Sequence, residues 1–146
     1  METEHGIMEQ IMRIVSQSRR KLPHPPRGSS PKCHGFGRVL DLLAENDGLR
    51  QQQIAEQLDI RPQSASEAIA GMEQAGLIRR ETDEQDRRSS RIYITAEGQK
   101  LQAESLQWRI ENARRVMEPL TEEEKQTLLV LLKKVTDALQ ETKEEQ

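Results

Sequence analysis

The sequence predicts a mainly α-helical protein that carries one small antiparallel β-hairpin. Three observations lead there. Apolar residues recur at helical spacing through most of the 146 residues. Strict alternation appears only near Arg91 to Thr95, behind a charged turn. The only aromatics are Phe36, Tyr93 and Trp108, so a core has to be built from Leu, Ile, Val, Met and Ala, which suits helices.

Ile7, Ile11, Ile14 and Val15, widened by Met8 and Met12, predict an amphipathic helix over residues 3–20. The stretch KLPHPPRGSSPK, residues 21–32, ends it with prolines, a glycine and two serines. Val39, Leu40, Leu42 and Leu43 then give a short helix that stops at Asn46-Asp47-Gly48. Two closely spaced helices follow. The first covers about 50–57 with Ile54, Ala55 and Leu58 inward; the second covers about 62–75 with Ala65, Ile69 and Met72 inward. Pro62 suits a first helical position, where its missing N–H costs nothing. Arg50 and Arg61 stand at helix starts where Ser or Thr would cap better.

Leu77 to Glu81 and Arg91 to Thr95 predict the two strands of a hairpin, joined through DEQDRRSS. Thr95 caps a long helix over 96–117, roughly 33 Å at about 1.5 Å per residue. Beyond Pro119, Thr121 and Glu124 form a capping box for a last helix to about Leu139, and the tail ETKEEQ is expected to fray.

Composition bounds what such a chain does. Hydrophobic residues make up 34% and charged residues 32%, a thin apolar supply that burial against a partner chain would offset. The net charge of −3 advertises no overall basic footprint for nucleic acid. A single cysteine, Cys33, excludes an internal disulfide framework and fits a reducing, cytoplasmic setting. No apolar run approaches the roughly 20 residues of a membrane span, and the first residues are too polar for a secretory signal. No phosphate-cradling glycine loop, HExxH, G-x-S-x-G or nucleophile with a base and an orienting partner is present, so no enzyme activity, cofactor or metal is expected.

Helix, short turn, helix and hairpin, in that order, is the plan of a winged helix-turn-helix. The stretch from Gly35 to Leu101 resembles the DNA-binding core of the MarR family of bacterial transcriptional regulators. The most specific part is Asp86-Arg87-Arg88, then the strand, then Thr95-Ala96-Glu97-Gly98, which is similar to the family's D-x-R … L-T-x-x-G wing signature. The resemblance implies that Arg88 enters a minor groove and that Asp86 braces it through a salt bridge. A wing-tip arginine is drawn to the negative potential of a narrow minor groove. Arg87 and Ser89 are then expected on the DNA backbone.

The helix from Pro62 would be the recognition helix, with Gln63, Ser64, Ser66, Glu67 and Ala70 outward and Arg61 at its start. Gln63 suits adenine, the serines suit phosphates or bases, and Arg61 suits phosphate or guanine. Glu67 would repel phosphate unless it accepts from cytosine N4 or pairs with an arginine. Between residues 50 and 95, seven arginines face eight Asp or Glu, so basic character is confined to the wing and a few edges.

Ile7, Ile11 and Ile14 on the first helix, and Leu128, Leu131, Leu132, Val135 and Leu139 on the last, exceed what one lobe can bury. The resemblance implies that these helices interlock in a homodimer, placing two recognition helices about 34–36 Å apart on a pseudo-palindromic operator. It also implies a small-molecule effector and, most simply, repression.

The expected organisation is an N-terminal dimerisation helix and Pro-rich loop over 1–34, a DNA-binding domain over 35–95, and a linking helix with a C-terminal dimerisation helix over 96–146. Two other readings stay open: an oxidant sensor acting through Cys33, beside Lys32 and His34, and a winged-helix module for protein contacts. Cys33, His34 and His24 are too few and too loosely spaced for a metal site.

Overall fold

The computed structural model describes residues 2–23 and 36–144. The expectations placed on His24, Lys32, Cys33 and His34 lie outside the described residues. In chain order the elements are α1 (Glu2–Lys21), α2 (Phe36–Glu45), β1 (Leu49–Arg50), α3 (Gln51–Leu58), α4 (Pro62–Gln74), β2 (Ile78–Thr82), β3 (Ser90–Ile94), α5 (Ala96–Met117) and α6 (Glu122–Glu144). Among the described residues no helix is long and apolar enough to cross a membrane. The fold is mainly α with a small antiparallel sheet, the winged helix-turn-helix arrangement that the pattern predicts.

The chain divides into two compact units, Pro23–Arg109 and Met1–Leu22 with Ile110–Gln146. The first holds the core. Val39, Leu40 and Leu43 from α2, Ile54 from α3 and Ile69 and Met72 from α4 pack with Ile78, Ile92 and Ile94 of the sheet and Leu101 of α5. Ile54, Ile69, Met72 and Ile92 are fully buried, each stabilising by roughly 1.5–3 kcal/mol relative to exposure.

The hairpin strands run one residue off their expected bounds, and a third strand joins them. The sheet order is β1-β3-β2, with Leu49 opposite Ile92 and Arg80 opposite Ile92 on the other side. Two residues are too short for alternation to register, so β1 escapes a periodicity reading. Its entry is fixed by Asp47, whose carboxylate accepts the N–H of Ile94 at 2.9 Å. Gly48 takes φ of 76°, and its missing Cβ leaves room for the Tyr93 ring, which would stand 2.9 Å away.

In the second unit α1 buries no residue, and α6 keeps Leu129 to Leu132, Val135 and Leu139 exposed. The capping box at its start is formed: Glu124 N–H donates to Thr121 Oγ1 at 3.2 Å, and Thr121 N–H to Glu124 Oε2 at 3.4 Å. The helix continues to Glu144, past the expected end near Leu139, because neither glycine nor proline follows to break it.

Candidate nucleic-acid interface

The turn between α3 and α4 is tight. Asp59 closes α3 in the left-handed region at φ 52°, a conformation that Asp tolerates better than most residues. Ile60 N–H returns to Ala55 O at 3.0 Å, and Arg38 Nη2 donates to Leu58 O at 2.8 Å. Arg61 caps α4 with an extended backbone and no side-chain cap, and Pro62 opens the first turn. Its guanidinium is therefore not spent on the helix end.

α4 buries Ala65, Ile69 and Met72 and turns Gln63, Ser64, Ser66, Glu67 and Ala70 to solvent, the face that helical period assigns. On that face Gln63 Nε2 donates to Glu67 Oε1 at 3.2 Å. No Lys or Arg occurs on the helix, and among the described residues Glu67 has no ion pair.

The wing is the loop 83–89 between β2 and β3. Asp83 N–H donates to Ser89 O at 3.1 Å, and Ser89 N–H to Asp86 O at 3.1 Å. Asp86 behaves differently from the expectation. Its Oδ1 accepts the backbone N–H of Arg88 at 3.0 Å, and the expected salt bridge to the Arg88 guanidinium is not formed. The two-residue spacing puts the carboxylate over the backbone, as in an Asx turn. Asp86 shapes the tip; it does not hold the Arg88 side chain.

The anchor of the wing is Asp83, which is only 3% exposed. Its Oδ2 accepts from Arg50 Nη2 at 2.6 Å and Nε at 3.1 Å, and Arg91 Nε lies 3.5 Å away. Its Oδ1 accepts Gln85 N–H at 3.0 Å. The Gln85 N–H first, then the Arg50 guanidinium and the Arg91 charge, outweigh burial and hold the Asp83 carboxyl below the usual carboxylate range. Arg50 also caps α3 through its backbone, its N–H donating to Gln53 Oε1 at 2.9 Å. The wing base is thus tied to the start of the helix-turn-helix. Arg50, a poor residue for a helix cap, and Asp83, at the base of the wing loop, are each other's partner.

The remaining arginines sort themselves in the same way. Arg79 pairs with Glu81 and lies 4.7 Å over the Tyr93 ring. Arg80 pairs with Glu73 of α4 at 3.3 Å. Arg50 and Arg91 share Asp83. Of the arginines between residues 50 and 95, those without an ion pair among the described residues are Arg61, Arg87 and Arg88, all exposed. They stand at the start of α4 and at the wing tip. The near balance of charge in the sequence conceals this, because the carboxylates neutralise arginines elsewhere. Ser89, at the edge of the tip, is half-buried and donates from Oγ to Asp86 O at 3.3 Å.

Behind the wing, the T-x-x-G stretch has a mechanical role. Thr95 Oγ1 accepts Gly98 N–H at 3.1 Å, capping α5, and donates to Gly76 O at 2.6 Å. A Cβ at position 98 would lie 2.1 Å from Leu77 O, so glycine lets α5 start directly against the end of the α4–β2 turn. Farther along α5, Arg109 grips Asp41 of α2 with two bonds of 2.8 Å. Burial raises the Asp41 carboxyl, but Arg109 and Gln102 more than reverse this, leaving it below its ordinary value.

The residues expected at a dimer interface are on solvent-facing positions of the single chain. Ile7, Ile14, Leu131, Leu132, Val135 and Leu139 are exposed, Leu139 to 65%; Ile11 and Leu128 are half-buried.

Residues 37–90 match the MarR family. The transcriptional regulator HosA of Escherichia coli O111:H- is 29% identical over 100 residues, covering 68% of this chain and 74% of HosA. PecS of Dickeya dadantii, an HTH-type transcriptional regulator, is 39% identical over 83 residues, 57% of this chain. That match spans 50% of PecS, so this chain aligns with about half of that regulator's length. The fold also matches the PcaV transcriptional regulator of Streptomyces coelicolor, solved in complex with its natural ligand, with a TM-score of 0.73 over 91% of each chain at 19% identity. With the two-helix element, the anchored wing and the T-x-x-G corner in place, these matches support the MarR family of winged helix-turn-helix, DNA-binding transcriptional regulators, to which residues 37–90 are similar.

Proposed function

We propose that the protein is a homodimeric repressor that binds a pseudo-palindromic operator in the cytoplasm and releases it when a small-molecule effector binds. In this reading residues 35–95 bind DNA, and residues 1–34 and 96–146 supply the dimer. The observation that carries it is the sorting of the arginines. Those not neutralised within the chain, Arg61, Arg87 and Arg88, occupy the two places where a winged helix-turn-helix meets phosphate and minor groove.

α4 enters the major groove with Gln63, Ser64, Ser66 and Glu67 toward base edges and phosphates. Arg88 enters the adjacent minor groove, and Arg87 and Ser89 contact the backbone. Asp86 sets the tip by holding the Arg88 backbone. The exposed apolar faces of α1 and α6 support a second copy of the chain as the partner that covers them, since a single chain leaves them in water. Effector control rests on PcaV, whose structure contains a natural ligand; a ligand that prefers one spacing of the two recognition helices changes operator affinity through that preference.

The test is a fluorescence titration with the DNA flanking the protein's own gene, at about 50 and 200 mM salt. Arg88→Ala removes two cations per dimer. The slope of log affinity against log salt is expected to fall by about 2, and affinity by roughly tenfold or more. Unchanged affinity and slope would remove Arg88 from the interface.

A further inference from the structure

We infer that Glu67 is a specificity-determining residue that accepts a hydrogen bond from the exocyclic amine of a base, cytosine N4 or adenine N6, in the major groove. This rests on the proposal that α4 enters that groove. A carboxylate facing DNA has two ways to avoid a net repulsion: a cation of its own protein, or a donor on the DNA. The structure removes the first. Glu67 is exposed on the outward face of α4, no Lys or Arg occurs on that helix, and no described residue forms an ion pair with it. The β2 arginines are committed elsewhere, Arg80 to Glu73 and Arg79 to Glu81, and Arg61, at the start of α4 and without an ion pair among the described residues, forms none with Glu67.

Gln63 sharpens the selection. An ionised carboxylate has only acceptors, so the Gln63 carboxamide must turn its NH2 toward Glu67, as the 3.2 Å Nε2–Oε1 bond shows. That leaves Gln63 Oε1 and the other Glu67 oxygen as acceptors with no partner among the described residues. The two side chains sit four residues apart, about 6 Å along the helix, close to the span of two base-pair steps of about 3.4 Å. Together they present an acceptor-rich edge. Guanine offers N7 and O6, both acceptors, and thymine offers O4 and a methyl group. Both are disfavoured, whereas cytosine and adenine each supply an amine. Side-chain recognition by α4 is therefore the converse of an arginine reading guanine: it selects for donors and repels acceptors.

The experiment uses the full chain. Wild type and Glu67→Ala are each used to select duplexes from a random pool, and the operator so defined is then titrated with the amine of the selected base deleted, 2-pyrimidinone replacing cytosine or purine replacing adenine. Alanine is the better helix former, and circular dichroism checks that the fold is kept. Wild type is expected to select cytosine or adenine at one position of each half-site and to lose roughly 5- to 150-fold when the amine is deleted. Glu67→Ala is expected to accept all four bases there and to lose almost nothing on amine deletion. A helix-stabilising role alone would give no such coupling to one base. The same base preference in both proteins, or an equal loss from amine deletion in both, overturns the assignment. If wild type selects no sequence at all, the proposed sequence-specific DNA binding fails and the role of Glu67 falls with it.

Discussion

Replacing Gly98 by alanine tests the geometry behind the wing, because two arguments predict opposite signs. Gly98 lies in the first turn of α5, where helix propensity alone favours alanine by about 1 kcal/mol. The tertiary structure forbids it. The added Cβ would stand 2.1 Å from Leu77 O and 2.8 Å from Ile94 Cγ1, whereas non-bonded carbon contacts settle near 3.5 Å. The start of α5 has to retreat by more than about 1 Å.

That retreat pulls on three bonds: Thr95 N–H to Leu77 O at 3.0 Å, Thr95 Oγ1 to Gly76 O at 2.6 Å and Gly98 N–H to Thr95 Oγ1 at 3.1 Å. Losing the cap costs about 1 kcal/mol and overpacking a further 1–3 kcal/mol or so. After the propensity gain of about 1 kcal/mol, the net loss is roughly 1–3 kcal/mol. Urea denaturation measures it as a lower midpoint at unchanged slope. Gly37→Ala, where an added Cβ meets nothing within 4 Å, is the control and should not destabilise. Equal or greater stability of Gly98→Ala would refute the steric account of the T-x-x-G corner.

Asp83→Asn makes the wing less negative yet should weaken operator binding, since Arg50 and Arg91 lose the carboxylate that ties the wing base to α3; stronger binding would show that simple charge dominates. The same variant has a pH signature. The Asp83 carboxyl is lowered from 3.8, so its stabilisation is fully present above that value and is lost as pH falls through the lower folded-state value. Acid unfolding should therefore be shallower for Asp83→Asn than for wild type, and superimposable acid limbs would contradict the ion cluster. Leu131→Glu places a charge in the exposed apolar face of α6 and should shift the species in sedimentation from twice the 16.8 kDa chain mass to one chain; an unchanged dimer would move the interface elsewhere.

What the sequence determines by itself is whatever depends on neighbours within about one helical turn or one strand. The helical period placed α4 and its outward face, Gln63, Ser64, Ser66 and Glu67, because the same spacing buries Ala65, Ile69 and Met72. Thr121 with Glu124 announced the start of α6 for the same reason, since a cap and its partner are three residues apart. Charge bookkeeping resisted that kind of reading. The pair Arg50–Asp83 joins residues 33 positions apart, and no local pattern says which of eight carboxylates neutralises which of seven arginines. Only the sheet, which sets Arg50 opposite Arg91, brings both guanidiniums to one buried carboxylate. The wing aspartate shows the same division. Sequence marked Asp86 as functional, but its carboxylate bonds the backbone of Arg88, and the load of anchoring the wing falls on Asp83, three residues earlier. Local periodicity thus decides the elements and their faces, while the packing of distant segments decides which charges are neutralised within the chain.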